Sequence, residues 1–155
     1  MAHRNGAGLV LFAYDGSEQA KAAIREAAHQ LSPGRGAIVL SVWQPLAALP
    51  FAGMADGAQG IEDSIATEAR SVADEGARLA RSVGFQATPL TEQGSPIWRS
   101  IVTTADDRAA SIVVMGSHGR TGLGLVLMGS VASAVARHSD RPVLIVHAPP
   151  DESAG

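Results

Sequence analysis

The chain contains no cysteine. That removes disulfide bonds, thiol nucleophiles and cysteine-ligated zinc in one step. It contains a single lysine, Lys21, so a phosphate loop that needs a lysine beside its glycines has nothing to use. Long apolar runs are missing as well. None approaches the length required to span a bilayer. The first apolar run, Leu9 to Tyr14, is shorter than a signal-peptide core and is followed by no cleavage-like site. The expectation is a cytoplasmic protein with no membrane partner. Positive charge is not in excess either: Lys and Arg number 12 against 15 Asp and Glu, for a net charge of −3. That balance argues against a general nucleic-acid role.

What remains is an ordinary folded chain. Its 155 residues are 46% hydrophobic and 17% charged, which fits one domain over residues 1–155 with a substantial core. Leu9 to Tyr14 reads as a central strand buried on both faces, ending in the turn Asp15-Gly16-Ser17. Ser17 is a helix cap for Glu18 to Leu31, whose inward face is Ala20, Ala23, Ile24, Ala27, Ala28 and Leu31. Ser32-Pro33-Gly34 stops that helix, and Ala37 to Trp43 forms the second strand. Gln44 to Gly60 fits no period and reads as a long mobile loop. Ile61 to Val83 is the longest helix, with the stripe Ile61, Ile65, Ala69, Val72, Gly76, Leu79 and Val83. Phe85 to Thr91, interrupted by Pro89, is expected at a sheet edge. Ser95-Pro96 opens a helix with the serine as cap and the proline at its first position, and Ile97, Ile101, Ala105 and Ala109 face inward. Ile112 to Met115 and Pro142 to His147 are the fourth and fifth strands. The last helix lies between them, with Val131, Ala134, Val135 and His138 on one face. The tail from Pro149 is polar.

Strand and helix alternate throughout, which predicts an α/β domain with a parallel sheet and helices on both faces. In such folds ligands sit beyond the carboxyl ends of the strands. The stretch at that position is rich in glycine. After Met115 come Gly116, Gly119, Gly122 and Gly124, then an apolar run, then Gly129-Ser130 at a helix start. Glycines let main-chain N–H groups approach a ligand. Ser130 is expected to cap the helix, whose N-terminus favours anions, most often phosphate.

Competing motifs fail residue by residue. Gly124 to Gly129 has the spacing of a lysine-containing phosphate loop, but Ser130 stands where the lysine belongs. Gly122-Leu123-Gly124 is followed by Leu127, not by the third glycine of a dinucleotide fingerprint. A receiver domain would need an acceptor aspartate after the third strand and a lysine after the fifth; Thr91-Glu92-Gln93 and His147-Ala148 supply neither.

The spacing that is present, Gly116, Gly119, Gly129 and Ser130, resembles the phosphate-binding signature of the universal stress protein family: Gly, two residues, Gly, nine residues, Gly, then Ser or Thr. Ile112 to Arg120 is similar to that family's strand-and-loop wording, Leu11 to Ser17 to its opening strand and aspartate, and Asp140 to Val146 to its closing strand. The resemblance implies a Rossmann-like, adenine nucleotide alpha-hydrolase-like fold with strand order 3-2-1-4-5. It implies that Gly116, Gly119, Gly129 and Ser130 bind the phosphates of ATP, accompanied by Mg²⁺, with Ser117, His118 and Arg120 flanking them. The Val131 amide follows at the helix start. Ala13, Asp15 and Val42 would hold the nucleoside, and Met115 would lie near the base or ribose. A homodimer through Val143, Leu144, Ile145 and Val146 is implied, as is a stress-response regulator.

Plainer readings stand beside these. The glycines could only permit close packing, Asp15 could be a turn residue, and His118 and Arg120 could be solvated loop side chains. His3, His29 and His147 lack partners at metal-ligand spacing, so no protein metal site is expected. Trp43 and Trp98 read as core or interface residues, and His138 as a helix-terminal one. No catalytic constellation is evident; Ser117 and His118 are adjacent, and adjacent side chains seldom face each other. Three functions follow: an ATP-binding regulator, a dimeric interaction module without nucleotide, and a slow ATPase.

Overall fold

A computed structural model of the chain describes residues 8–48, 58–118 and 128–148. The elements are β1 (Val10–Ala13), α1 (Glu18–Gln30), β2 (Gly36–Trp43), a 3-10 turn at Leu46–Ala48, α2 (Ala58–Ser82), β3 (Gln86–Gln93), α3 (Ile97–Asp107), β4 (Ile112–Gly116), α4 (Ser130–His138) and β5 (Val143–Val146). The strands form one parallel sheet in the order β3-β2-β1-β4-β5.

Alternation along the strands decides which helices pack where. Val10, Phe12 and Tyr14 point to one face with Ala37, Val39 and Val114, where Ala20, Ala23, Ile24 and Ala27 of α1 meet Ala77 and Ala80 of α2. Leu11, Ile38, Leu40, Val113 and Met115 point to the other, against Ile101 and Ala105 of α3 and Ala132 and Val135 of α4. On the first face the rings of Phe12 and Phe85 meet edge to face, with centroids 5.2 Å apart, a contact worth about 1 kcal/mol beyond the area it buries. At the amino end of the sheet the buried guanidinium of Arg35 donates to the Gly8 carbonyl at 2.9 and 2.8 Å and to Ser111 Oγ at 2.5 Å, so its charge is satisfied without an acid.

Several local expectations are corrected. Helix α2 starts at Ala58, three residues before Ile61. Its buried face is Ala69, Ala73, Gly76, Ala77 and Ala80, while Ile61 is 42% exposed. The small residues let α2 lie close to the sheet: a Cβ on Gly76 would stand 2.6 Å from Val39 Cγ1 and 2.7 Å from the Tyr14 ring. The segment read as a loop is therefore shorter. Its start is also ordered, because buried Leu46 donates its N–H to Glu62 Oε1 at 2.8 Å; residues 49–57 lie outside the described residues.

Helix α3 is capped by Pro96, not Ser95, because Pro96 has extended backbone (ψ 156) and its side chain offers no cap bond. Ala109 lies beyond the end of α3, exposed and at φ 51; Ala110 is the residue that turns inward, its N–H bonded to the Ala105 carbonyl at 2.9 Å. On α4 the buried positions are Ala132 and Val135, and His138 is exposed, stacked on Trp98 at 4.3 Å. β3 is an edge strand, as Pro89 requires.

Candidate functional site

The sheet's topology makes a crevice. From β1 the chain moves outward through β2 to β3, and β4 lies on the other side of β1. The carboxyl ends of β1 and β4 thus part at the place where strand order reverses. A cavity of about 320 Å³ opens there, within the range of small-molecule sites. Ala13, Tyr14 and Asp15 line it from the end of β1, Leu40 and Val42 from β2, and Met115, Gly116, Ser117 and His118 from the end of β4. Ile97 and Ile101 of α3 close one wall, and Gly129, Ser130, Val131 and Ala132 bring in the start of α4. The lining is aliphatic at Leu40, Val42, Ile97 and Ile101, and polar or glycine at Asp15, Gly116, Ser117, His118, Gly129 and Ser130.

The join between β4 and α4 is defined by close approach. A Cβ on Gly116 would stand 2.9 Å from Gln19 Cβ and 3.0 Å from the Gln19 carbonyl, so a side chain there would strike the first turn of α1. The Gln19 amide in turn accepts from Ala148 N–H at 3.1 Å, holding the chain beyond β5. Ser117 continues the sheet by donating its N–H to the Val146 carbonyl at 3.0 Å. Its own carbonyl accepts from Gly129 N–H at 2.6 Å.

Gly129, with φ −64 and ψ 161, is the cap of α4 and, as a glycine, makes no side-chain cap bond to the helix end. The expectation that Ser130 caps is corrected: Ser130 is already helical, so its hydroxyl cannot fold back over the first turn as a cap's does. The α4 N-terminus therefore presents N–H groups and a positive dipole end to the cavity, with no side-chain acceptor among the described residues. Among the described residues lining the cavity there is no lysine or arginine.

At the end of β1, Asp15 is exposed and accepts through Oδ1 from Ser17 N–H at 2.9 Å. Gly16 takes φ 82 in that turn, and Ser17 Oγ caps α1 by accepting from Ala20 N–H at 3.1 Å. The turn role of Asp15 is thus real, and the residue also lines the cavity. Tyr14 turns its ring to the other face of the sheet, where its hydroxyl donates to Glu75 Oε1 at 2.5 Å. Burial, then the bond to Glu75 and its charge, raise the Tyr14 phenol well above its ordinary pKa.

Ser117 is 1% exposed, and its Oγ lies 3.0 Å from Nδ1 of His118. The expectation that these neighbours face apart is corrected. The strand ends at Gly116, and the bend after it turns both side chains to the same side. Among the described residues no group of three or more His, Asp or Glu could hold a metal ion.

Of the residues singled out in the sequence, Ala13, Asp15, Val42, Met115, Gly116, Ser117, His118, Gly129, Ser130 and Val131 line this one cavity. Gly119 and Arg120 lie outside the described residues. Sequence reasoning missed Tyr14, Ala20, Leu40, Ile97, Ile101 and Ala132. Leu40, two residues before Val42 in β2, shares its face and could have been found by strand period. Ile97 and Ile101 carry no such signal, since an apolar helix face reads as core.

A family model described as the universal stress protein family matches residues 8–147. The universal stress protein MJ0577 of Methanocaldococcus jannaschii is 34% identical over 86 residues, 56% of this chain and 52% of that protein. MJ0531 of the same organism is 32% identical over 105 residues, 66% of this chain and 61% of that protein. These alignments thus span little more than half the length of the curated relatives. In structure the solved MJ0577 superposes with a TM-score of 0.77 at 26% identity, covering 93% of this chain and 98% of that one. A universal stress protein solved in complex with cAMP gives 0.61 at 25% identity, covering 91% and 97%. The sheet is of the adenine nucleotide alpha-hydrolase-like type.

Proposed function

The chain belongs to the universal stress protein family, and from that membership we propose that its cleft binds ATP, with Mg²⁺ on the phosphates, and that nucleotide occupancy alters its surface for protein partners. The observation that carries this reading is that a single cavity is lined both by aliphatic side chains and by the start of a helix whose cap is a glycine. A nucleotide has the same two kinds of surface. The base lies among Val42, Leu40, Ile97 and Met115. The ribose lies near Ala13 and Asp15. The phosphates meet the main chain at Gly129, Ser130 and Val131, with Gly116, Ser117 and His118 beside them; Gly119 and Arg120, next in sequence, are proposed to join them. A helix N-terminus without its own acceptor is suited to that charge. The cAMP complex of a relative supports a nucleotide of this class. Asp15 is the carboxylate among the described lining residues that could reach Mg²⁺ through water; bound there, the ion would neutralise phosphate charge.

Two further elements belong to the proposal. The half-buried β5 residues Val143, Leu144, Ile145 and Val146 sit at the sheet edge and are the surface for pairing with a second copy. A cytoplasmic location is the second; no helix among the described residues is long and apolar enough to cross a membrane.

Mass spectrometry of freshly purified, denatured protein is expected to release ATP or ADP, and calorimetry to record ATP binding to the emptied protein. Absence of both would sink the reading. A nucleotide-free interaction module is the second reading, favoured by one fact: Gly116 and Gly129 each have a packing reason to be glycine, against Gln19 and Ser117 respectively.

A further inference from the structure

β3 pairs with the sheet on one side only, through β2. Two bonds set the phase of that pairing. Gln86 donates its N–H to the Arg35 carbonyl at 2.9 Å, and Gly94 donates its N–H to the Trp43 carbonyl at 2.9 Å. In a parallel ladder the main-chain groups of alternate residues point to opposite sides of the strand. Between those two bonds, Thr88, Leu90 and Glu92 therefore turn their N–H and C=O groups to β2. Those of Ala87, Pro89, Thr91 and Gln93 point away from the sheet. Such an outward row is a template on which another strand can add.

Two neighbouring positions of this row are closed. Arg81, in the last turn of α2, donates from Nε to the Ala87 carbonyl at 2.8 Å. Pro89 has no N–H to give. Its nitrogen lies on the outward side, so the proline costs the β2 ladder nothing. An acceptor and a donor are thus removed in succession. Arg81 is also exposed, so its charge stands in the path of an incoming strand. A tie between α2 and β3 would explain neither why the bonded carbonyl is an outward one nor why the next outward position is a proline.

We propose that Arg81 and Pro89 form a two-part guard that keeps β3 from pairing with β3 of a second copy of this chain. An approaching strand finds the Ala87 carbonyl taken and Pro89 without a donor. Of the four outward positions, Thr91 and Gln93 alone keep both groups, too short a stretch to hold a strand. The guard acts without closing the edge covalently or covering it with a further element.

Sedimentation velocity over a wide range of protein concentration compares the full chain with Arg81→Ala, Pro89→Thr and the double variant, with circular dichroism as the check on folding. The double variant is expected to self-associate about tenfold or more strongly than wild type, the effect of one or two added main-chain hydrogen bonds. Each single variant is expected to lie between. Thr91→Pro added to the double variant removes the next outward N–H and is expected to return association to the wild-type level. A folded double variant that sediments like wild type overturns the proposal, and so does association that persists with Thr91→Pro. If the double variant does not fold, the single variants decide: wild-type sedimentation by both Arg81→Ala and Pro89→Thr overturns the guard.

Discussion

The main-chain N–H of Gly129 donates to the carbonyl of Ser117 at 2.6 Å, so the residues on either side of the glycine loop meet at one point. The start of α4 is fixed relative to β4 by this bond, independently of the segment between them. A Cβ on Gly129 would stand 3.1 Å from that same carbonyl oxygen and 3.6 Å from His118 Cα. Gly129→Val is therefore expected to push the helix end away from the cleft. ATP affinity by calorimetry should fall by about tenfold or more, a loss of about 1.4 kcal/mol, with the circular dichroism of the fold retained. Wild-type affinity in that variant would detach the helix end from ligand binding.

The Tyr14 phenol makes stability fall at high pH. Its folded pKa is raised above the ordinary 10.0, chiefly by burial and then by Glu75. The native state therefore keeps its proton after the unfolded chain has lost it. This contribution is complete below pH 10.0 and declines as the pH rises toward the folded value. Urea midpoints measured up the alkaline range should show the decline in wild type and a shallower one in Tyr14→Phe. At neutral pH the same variant loses the hydrogen bond to Glu75, worth about 1 kcal/mol.

Two glycines of one helix should respond with opposite sign. Gly76→Ala places a methyl against the stiff Val39 side chain and the Tyr14 ring, both buried. Overpacking outweighs the gain in helix propensity, for a net loss of about 1–2 kcal/mol. Gly60 has nothing within 4 Å of an added Cβ, so Gly60→Ala should gain about 0.5 kcal/mol. Melting temperatures, at about 2–4 °C per kcal/mol for a chain of this size, distinguish the pair.

Ala109 stands at φ 51 just beyond α3, where glycine usually ends a helix. Its Cβ makes the left-handed conformation costly by about 1 kcal/mol. Ala109→Gly should raise the unfolding free energy from urea denaturation by about 0.5–1 kcal/mol, and no change would mean that the backbone relaxes there.

The strand ends were legible because burial on both faces leaves continuous apolar runs: Leu9 to Tyr14 and Ile112 to Met115 read as inner strands of a parallel sheet. Since ligands gather at their carboxyl ends, Asp15, Val42 and Met115 could be named from chain order alone. Helix faces were harder to read. Ala69, Ala73, Ala77 and Ala80 form the buried face of α2, but Ile61 and Ile65 look more hydrophobic and drew the stripe around the helix. Cap positions shifted by one residue at Pro96 and Gly129, because a cap is defined by backbone ψ, which serine and its neighbour can exchange without any change in sequence pattern. The bond between Ser117 and His118 depends on the bend after β4, which no periodicity encodes.

The sheet's two margins are not equivalent. On one side β3 carries Pro89, which has no N–H to offer an incoming strand, while β5 on the other presents only Val143, Leu144, Ile145 and Val146. Two copies that meet through β5 turn their proline-bearing borders outward. In such an assembly Pro89 would disfavour extension of the sheet beyond the pair at the β3 margin.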